Sequence, residues 1–133
     1  MKKKILVTRK LLKENEDKLK ELFDVKLNQN DELYSSEKIL ELSKDCDGIL
    51  SAITDKFDDN LINKLSPSVK IIANFAVGFG NIDIQAAKKK NIIVTNTPEV
   101  LDDATADIAI LLLLGASRKV LEARRAAEKQ DWT

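Results

Sequence analysis

Residues 70–83 read KIIANFAVGFGNID, and this stretch shows the unit from which the fold is built. The apolar run at 69–73 predicts a buried strand, the two glycines at 78–80 predict a turn, and the amphipathic stretch at 82–89 predicts a helix. A further apolar run at 92–94 predicts the next strand. Two strands joined through a helix normally pair in parallel, in a sheet that is covered on both faces.

The same alternation of short apolar runs and amphipathic stretches fills the N-terminal part of the chain. It predicts strands at 5–7, 25–27 and 48–50, and helices at 11–23, 35–42 and 58–65. Five short parallel strands in this order predict an α/β fold, a flavodoxin-like doubly wound domain. Ligands of such domains bind at the carboxyl ends of the strands.

The last part of the chain predicts one long helix at 102–130, with Asp102 and Asp103 at its N-terminus. Residues 108–114 read IAILLLL, which is apolar on every face, so this part of the helix needs cover all round. Each leucine left in water forgoes about 1.5–3 kcal/mol. One interpretation is a central core helix; we favour an interface with another domain or another copy of the chain. The expected division is therefore a domain at 1–101 and a crossing helix at 102–133.

The composition excludes several classes of partner and location. Lys plus Arg and Asp plus Glu both number 22, so nothing favours a nucleic acid as the main partner. The one candidate basic face, at 118–125, is interpreted as an ordinary solvated helix face. The longest apolar stretch, at 108–116, has half the length that a bilayer span requires, and the N-terminal apolar run is too short for a signal peptide. We therefore expect no membrane partner and a cytoplasmic location.

The counts of cysteine and histidine limit the possible chemistry. A single cysteine, Cys46, excludes a disulfide within the chain and a cysteine-based zinc site, and no other metal site is expected. We interpret Cys46 as a small buried hydrophobic residue rather than a reactive thiol. The chain has no histidine, the residue that usually serves as a proton donor near neutral pH. Nothing in the spacing of Tyr34 or the lysines suggests that they replace it.

The glycine turn after the fourth predicted strand is the main candidate site. A dinucleotide fingerprint is disfavoured because its third glycine is replaced by Asp83, whose charge would repel a pyrophosphate at the start of the helix. The backbone N–H groups of Ala76, Val77 and Gly78 could instead converge on a small anion such as a carboxylate. A tight turn without a ligand explains the spacing equally well, so both interpretations stay open at this point.

Two other classes of protein share the predicted sheet but lack support from the loop after the first strand. A receiver domain needs acidic residues there to hold magnesium, and this chain has TRK at 8–10. A flavodoxin needs a loop rich in hydroxyl groups and glycine that binds phosphate, and residues 10–13 read KLLK. Both classes are disfavoured.

Four sequence blocks resemble the D-isomer-specific 2-hydroxyacid dehydrogenases, and within them the glyoxylate and hydroxypyruvate reductases. The blocks are IIANFAVG at 71–78, NID at 81–83, NIIVTNTPEVL at 91–101 and ATADIA at 104–109. They occur in the order and spacing of that family. The resemblance is close over 69–133 and looser before it, where only the plan of strands and helices agrees.

The resemblance implies roles for six residues. Family members bind the substrate carboxylate with backbone amides, form a side wall of the pocket from the loop after the third strand, and place a threonine near the nicotinamide. The residues that match the carboxylate-binding amides are Ala76, Val77 and Gly78. Ala52 and Ile53 match the side wall, and Thr105 matches the threonine near the nicotinamide. One departure concerns Gly80, where the family usually has Asp or Asn, and it bears on the local geometry of the turn.

The resemblance also implies that some functional parts lie outside this sequence. In the family, a Rossmann domain with its glycine fingerprint follows the segment that matches 118–133, and the arginine and histidine of the reaction belong to that domain. We therefore expect no catalytic residue in this chain, no tight binding of NAD or NADP, and negligible dehydrogenase activity by itself. The expected partners are a weakly bound 2-oxo or 2-hydroxy acid and a second copy of the chain, paired through the 102–130 helix. The alternative is a dimerising module of the same family that catalyses nothing.

Overall fold

The structure is a computed structural model and describes residues 1–130. The chain divides into two compact units, Met1–Pro98 and Glu99–Thr133. The two units meet between Pro98 and Glu99, close to the division after Leu101 that the sequence suggests and that stays a prediction.

The first unit contains a sheet of five parallel strands in the order β2-β1-β3-β4-β5. The strands are β1 (Lys4–Val7), β2 (Asp24–Lys26), β3 (Gly48–Ala52), β4 (Ile71–Phe75) and β5 (Ile93–Thr95). This order is that of a flavodoxin-like doubly wound domain, and it confirms the fold predicted from the sequence.

Four helices connect these strands: α1 (Lys13–Leu22), α2 (Ser36–Ser43), α3 (Asp59–Lys64) and α4 (Ile84–Lys89). The last three begin at polar N-caps. The side chains of Ser35, Asp58 and Asp83 accept hydrogen bonds from backbone N–H groups in the first turns of α2, α3 and α4, at 3.2, 2.9 and 2.9 Å. These caps fix where each connection ends and where its helix starts.

The hydrophobic core lies on one face of the sheet. Alternate strand residues Leu6, Ile49 and Ile72 are almost fully buried there, against side chains of α2, α3 and α4. The other face carries α1, and a groove of about 490 Å³ separates this helix from the strands. Phe75 and Ile93, which lie on that second face, are 62% and 61% exposed.

The second unit contains two helices, α5 (Asp102–Ser117) and α6 (Val120–Glu128). The expectation of one continuous helix over 102–130 is therefore wrong. The chain breaks at Lys119, which has the left-handed backbone conformation (φ 50°). Gly115 lies close to the start of α6, and a side-chain methyl there would make a tight contact of 3.3 Å with Val120. The expected helix segment beyond Gln130 lies outside the described residues.

Candidate functional site

The pairing of β3 with β4 brings two loops to the same edge of the sheet. Ala52, the last residue of β3, pairs with Phe75, the last residue of β4. The two strands are parallel, so the loops that begin at Ile53 and Ala76 leave the sheet side by side. We call residues 52–55 the wall loop and residues 76–78 the amide turn. This edge is where ligands of doubly wound sheets bind.

Three carbonyl groups of the amide turn are fixed by donors from other parts of the first unit. The carbonyl of Ala76 accepts a hydrogen bond from the backbone N–H of Thr97 at 2.9 Å. That of Val77 accepts from the side-chain amide of Asn96 at 2.6 Å, and that of Gly78 from the side-chain amide of Asn74 at 3.0 Å. Every peptide plane of the turn is therefore held in one orientation.

These fixed carbonyls determine where the N–H groups point. In a trans peptide the N–H points opposite to the preceding C=O, and no described peptide bond is cis. The N–H groups of Val77 and Gly78 are thus turned away from Thr97 and Asn96. Within residues 1–130 neither of them donates a hydrogen bond. Both N–H groups are therefore oriented donors without an acceptor in the described part of the chain.

Ala76 differs from the other two residues of the amide turn. Its N–H donates to the carbonyl of Asn74 at 2.8 Å, so this group is already occupied inside the chain. Ala76 contributes to the site through its carbonyl, which fixes the N–H of Val77. The sequence located the turn but could not separate this engaged amide from the two open ones.

The two glycines of the segment are not required by backbone conformation. Neither Gly78 nor Gly80 has a positive φ, and a side-chain methyl at either position would meet no atom within 4 Å. The departure from the family at Gly80 therefore imposes no special turn geometry. Beside Gly78 the open space adjoins the two free donors.

The wall loop is held by a buried carboxylate. Asp55 is only 2% exposed, and its Oδ2 accepts hydrogen bonds from the Ala52 N–H at 2.8 Å and from the Thr8 hydroxyl. Its Oδ1 is buried without a hydrogen-bond partner in the part of the chain that the structure describes. Ile53 is 58% exposed, so the loop offers an apolar side chain to the edge of the site.

Two asparagines connect the wall loop with the amide turn. Asn74 and Asn81 exchange hydrogen bonds between their side-chain amides, and the second of these side chains also donates to the carbonyls of Ala52 and Asp55. Sequence reasoning assigned no role to either residue. Their partners lie up to 29 positions away in the chain, so only the fold reveals the connection.

Arg9 joins three loops near the same edge of the sheet. Its guanidinium donates to both carboxylate oxygens of Asp31, at 2.8 and 3.0 Å, and to the Thr54 hydroxyl at 2.9 Å. The guanidinium holds the pKa of the Asp31 carboxyl well below its usual range, with help from the Lys10 N–H. Asp31 has a φ of 55°, a conformation that Asp and Asn tolerate better than most residues.

Neither Cys46 nor Tyr34 has the properties of a reactive group. Cys46 is fully buried, which confirms the expectation from the sequence, and burial raises the pKa of its thiol. Burial also raises the pKa of Tyr34, so this phenol stays protonated near neutral pH. Among residues 1–130 no three His, Cys, Asp or Glu side chains are grouped so that they could hold a metal ion. No helix in the same range has the length and hydropathy needed to cross a membrane.

Thr105, the residue expected near a cofactor, lies in the second unit. It is part of the first turn of α5, where its N–H donates to the carbonyl of Leu101 at 2.9 Å. Its side chain is exposed. The role of Thr105 stays a prediction.

The fold is that of a doubly wound α/β domain, and comparison with known proteins identifies its family. Residues 5–129 match the catalytic domain of the D-isomer specific 2-hydroxyacid dehydrogenases. The chain therefore belongs to this family, as the sequence blocks predicted.

Curated relatives agree with this assignment. Glyoxylate reductases of Thermococcus onnurineus and Korarchaeum cryptofilum are 38% and 39% identical to the chain, over 99% of its length. The chain spans 39% and 40% of those two proteins.

Solved structures show the same fold. A glyoxylate reductase from Paecilomyes thermophila has a TM-score of 0.82 at 28% identity, with 98% of this chain and 43% of that one covered. The NADPH-dependent glyoxylate/hydroxypyruvate reductase of Sinorhizobium meliloti, in complex with NADP and malonate, has a TM-score of 0.77 at 30% identity. That match covers 99% of this chain and 40% of the other.

Proposed function

We propose that this chain is the part of an NAD(P)-dependent 2-hydroxyacid dehydrogenase that binds the 2-oxo acid, of the glyoxylate and hydroxypyruvate reductase class. The Val77 and Gly78 amides hold the substrate carboxylate, and Ala52 and Ile53 form a side wall. One observation carries this proposal: the carbonyls of the amide turn are all fixed, while the N–H groups of Val77 and Gly78 have no partner within residues 1–130.

Two oriented amides suit a carboxylate, since N–H donors to an ionised acceptor form stronger hydrogen bonds than neutral pairs do. Hydrogen bonds to charged groups contribute about 1.5–3 kcal/mol each before the entropy lost on association is subtracted. The described site holds no cation that contacts the amide turn. We therefore expect a dissociation constant on the order of millimolar or weaker.

The relatives support the substrate class and the cofactor class. Their names identify glyoxylate reductases, and the Sinorhizobium meliloti structure contains NADP and the dicarboxylate malonate. A nicotinamide cofactor supplies hydride transfer in such enzymes. This sequence contains no histidine, the side chain that most often supplies the proton in such a reaction.

We propose that the glycine segment of the first unit is not the binding site for the cofactor pyrophosphate. At the start of α4, the helix that follows the glycine segment, the carboxylate of Asp83 accepts the N–H of Ala86 at 2.9 Å. A negative side chain thus occupies the helix end that a dinucleotide fingerprint leaves open for phosphate. We further propose that Thr105 lies beside the nicotinamide of NAD or NADP. We also propose that the protein is cytoplasmic.

A titration of the ¹⁵N-labelled chain with glyoxylate tests the carboxylate site. We expect the amide signals of Val77 and Gly78 to move together and to saturate in the millimolar range, whereas the engaged Ala76 amide moves less. Glycolaldehyde, which lacks the carboxylate, is the control ligand and should leave both signals in place. Unmoved Val77 and Gly78 signals at high glyoxylate concentration would refute the proposed site.

A second candidate function, a dimerising module that catalyses nothing, is supported by the surface of α5. Its large apolar residues are between 55% and 69% exposed, and they lie on all sides of the helix: Ile108, Ile110, Leu111, Leu112, Leu113 and Leu114. A contiguous apolar surface of this kind marks an interaction site. We propose that a second copy of the chain covers it.

Sedimentation equilibrium of Leu112→Glu tests the proposed dimer. Leu33 is its matched control, since both leucines are 67% exposed and Leu33 belongs to the first unit. We expect a concentration-dependent dimer for the unmodified chain and for Leu33→Glu, and a monomer for Leu112→Glu. A stable, non-aggregating monomer of the unmodified chain at high concentration would contradict the dimer and leave the oxo-acid proposal intact.

A further inference from the structure

Asn74 and Asn81 form a reciprocal pair of side-chain amides. Nδ2 of Asn74 donates to Oδ1 of Asn81 at 2.9 Å, and Nδ2 of Asn81 donates back to Oδ1 of Asn74 at 3.3 Å. Asn74 is only 2% exposed. Two planar amides bonded in both directions fix the orientation of each other.

The hydrogen bonds left over from this pair reach both loops of the site. On one side Asn74 donates to the carbonyl of Gly78 at 3.0 Å. On the other side Asn81 has one N–H left, which is shared between the carbonyls of Asp55 at 2.9 Å and Ala52 at 3.2 Å. The pair therefore connects the amide turn with the wall loop through side chains alone.

The hydrogen-bonding capacity of Asn74 is fully used. Its amide has two donors and two acceptor positions. The donors go to Gly78 and Asn81, and the acceptor positions receive Asn81 and the hydroxyl of Ser51, the latter at 3.1 Å. A buried network with every member satisfied is rigid and specifies one arrangement of the chain around it.

We propose that Asn74 and Asn81 are positioning residues of the oxo-acid site. Through their reciprocal amide pair they hold the wall loop and the amide turn in one fixed arrangement, so that Ile53 and the two open amides face the acid together. This inference rests on the proposed function for its ligand, but the link between the loops is a property of the chain without any ligand.

Asn81→Asp is the sharpest variant for testing the link. It keeps the size of the side chain and an acceptor for Asn74, but it replaces the donor to the wall loop with a carboxylate oxygen. The matched control is Asn15→Asp, an exposed residue in the first turn of α1, where a negative charge is tolerated. Spectra of amides in the core strands report whether each variant is folded.

The first measurement is the affinity for glyoxylate at pH 7, from the Val77 and Gly78 amide signals. We expect Asn81→Asp to bind about tenfold more weakly than the unmodified chain, which corresponds to a coupling in the range typical of linked sites. Asn15→Asp should bind like the unmodified chain. Unchanged affinity in a folded Asn81→Asp variant would overturn the inference.

The second measurement is the pH profile of the same variant. The new carboxyl faces the carbonyl oxygens of Ala52 and Asp55, which disfavour its charged form and raise its pKa. Once protonated it regains one donor, so glyoxylate affinity in Asn81→Asp should recover between pH 7 and pH 5. Affinity that does not recover on acidification, in a variant that stays folded, would contradict positioning.

Hydrogen exchange without ligand separates this inference from the proposed function. If glyoxylate leaves the unmodified chain unperturbed, the proposed function fails, and the link is judged by the exchange of amides in residues 52–55 and 76–78. We expect faster exchange of both loops in Asn81→Asp than in Asn15→Asp. Equal rates would overturn the inference.

If Asn81→Asp does not fold, Ser51→Ala replaces it. This variant removes one donor to Asn74 and leaves the reciprocal pair in place. A smaller increase of exchange in both loops is then expected, and exchange unchanged in either loop counts against the link.

Discussion

The amide turn of the first unit and helix α5 of the second differ in how far their polar and apolar groups have contacts within the described chain. In the turn, all three carbonyls have donors from within the chain, and only two N–H groups face outward. In α5, large apolar side chains are more than half exposed. The turn is held by hydrogen bonds within the described chain. The apolar surface of α5 would be buried only by contact with another molecule or segment.

This difference teaches where each region obtains its stability. Burial of Leu112 and of each of its apolar neighbours would stabilise the folded state by about 1.5–3 kcal/mol. An exposed α5 gains none of this free energy. The turn is stabilised by hydrogen bonds that are already made. The cost of a substitution in α5 should therefore depend on protein concentration, whereas that of a substitution in the turn should not.

Phe57→Ala and Leu112→Ala give the largest expected contrast. Phe57 is fully buried, and its backbone connects with Asn81 and Asp83, so truncation leaves a cavity and should cost about 3–5 kcal/mol. Leu112 is 67% exposed, and its truncation should change the free energy of unfolding of the monomer by less than about 0.5 kcal/mol. Urea unfolding at micromolar concentration measures both.

Repeating the Leu112→Ala measurement at high protein concentration sharpens the contrast. If α5 is covered by a second copy, the cost of the substitution should grow with concentration, because dimerisation stabilises only the unmodified chain. A cost of several kcal/mol at all concentrations would show instead that Leu112 is buried within the monomer, and the contrast between the two regions would be lost.

Asn96→Ala tests the organisation of the amide turn. The Asn96 side chain holds the carbonyl of Val77 at 2.6 Å and thereby orients the N–H of Gly78. We expect a loss of about 1–2 kcal/mol in the free energy of unfolding, from one hydrogen bond and one carbonyl left without its partner. The Gly78 amide signal should shift and its response to glyoxylate should weaken.

Asn60→Ala is the control for this substitution, since Asn60 is an exposed residue of α3. It should leave both stability and the Gly78 signal nearly unchanged. Equal effects of the two substitutions on glyoxylate binding would show that the turn does not depend on Asn96.

The sequence predicted the regions of the fold whose signals are local. The apolar runs predicted five strands, and Ser35 and Asp83 stand at the helix starts that their side chains suggested. The break at Lys119 was missed, because helical periodicity continues through it and the left-handed conformation of this lysine has no signal in the sequence.

The candidate site was predictable only in part for the same reason. The strand and the two glycines located the amide turn at 76–78, and the family resemblance supplied a carboxylate as its ligand. Which N–H groups are open depends on Asn74, Asn96 and Thr97, whose partners lie on other loops. Such contacts leave no periodic pattern, so they become visible only with the fold.

Gly78→Ala and Gly80→Ala compare two glycines of the same segment. Their expected effect on the free energy of unfolding is smaller than that of Asn96→Ala. Neither has a positive φ or an atom within 4 Å of an added methyl, so each substitution should stabilise the chain by about 0.4–1 kcal/mol through the unfolded state. The methyl at position 78 enters the space beside the open amides. Glyoxylate binding should therefore weaken in Gly78→Ala and persist in Gly80→Ala; equal affinities would place the ligand elsewhere.

Asp31→Asn gives the smallest expected effect and concerns the edge of the site. The Arg9 guanidinium lowers the pKa of the Asp31 carboxyl, so its ionised form stabilises the folded state. This contribution is fully present above the pKa of the unfolded chain, about 3.9, and is lost as the pH falls through the lower folded value. Asn keeps the left-handed backbone conformation that Asp31 adopts, so the comparison isolates the charge.

Urea midpoints between pH 7 and pH 3 measure this effect. Asp31→Asn should be slightly less stable than the unmodified chain from pH 7 down to about 4, and the difference should shrink below that value. Asp17→Asn is the control: Lys13 also lowers the pKa of Asp17, but by a pair within one exposed helix, which typically contributes little. A deficit for Asp31→Asn that is the same at pH 3 as at pH 7 would mean that the side chain acts through its shape rather than its charge. In that case Arg9 would join the loops as a neutral hydrogen-bond donor could, and the edge of the site would not respond to acid through this pair.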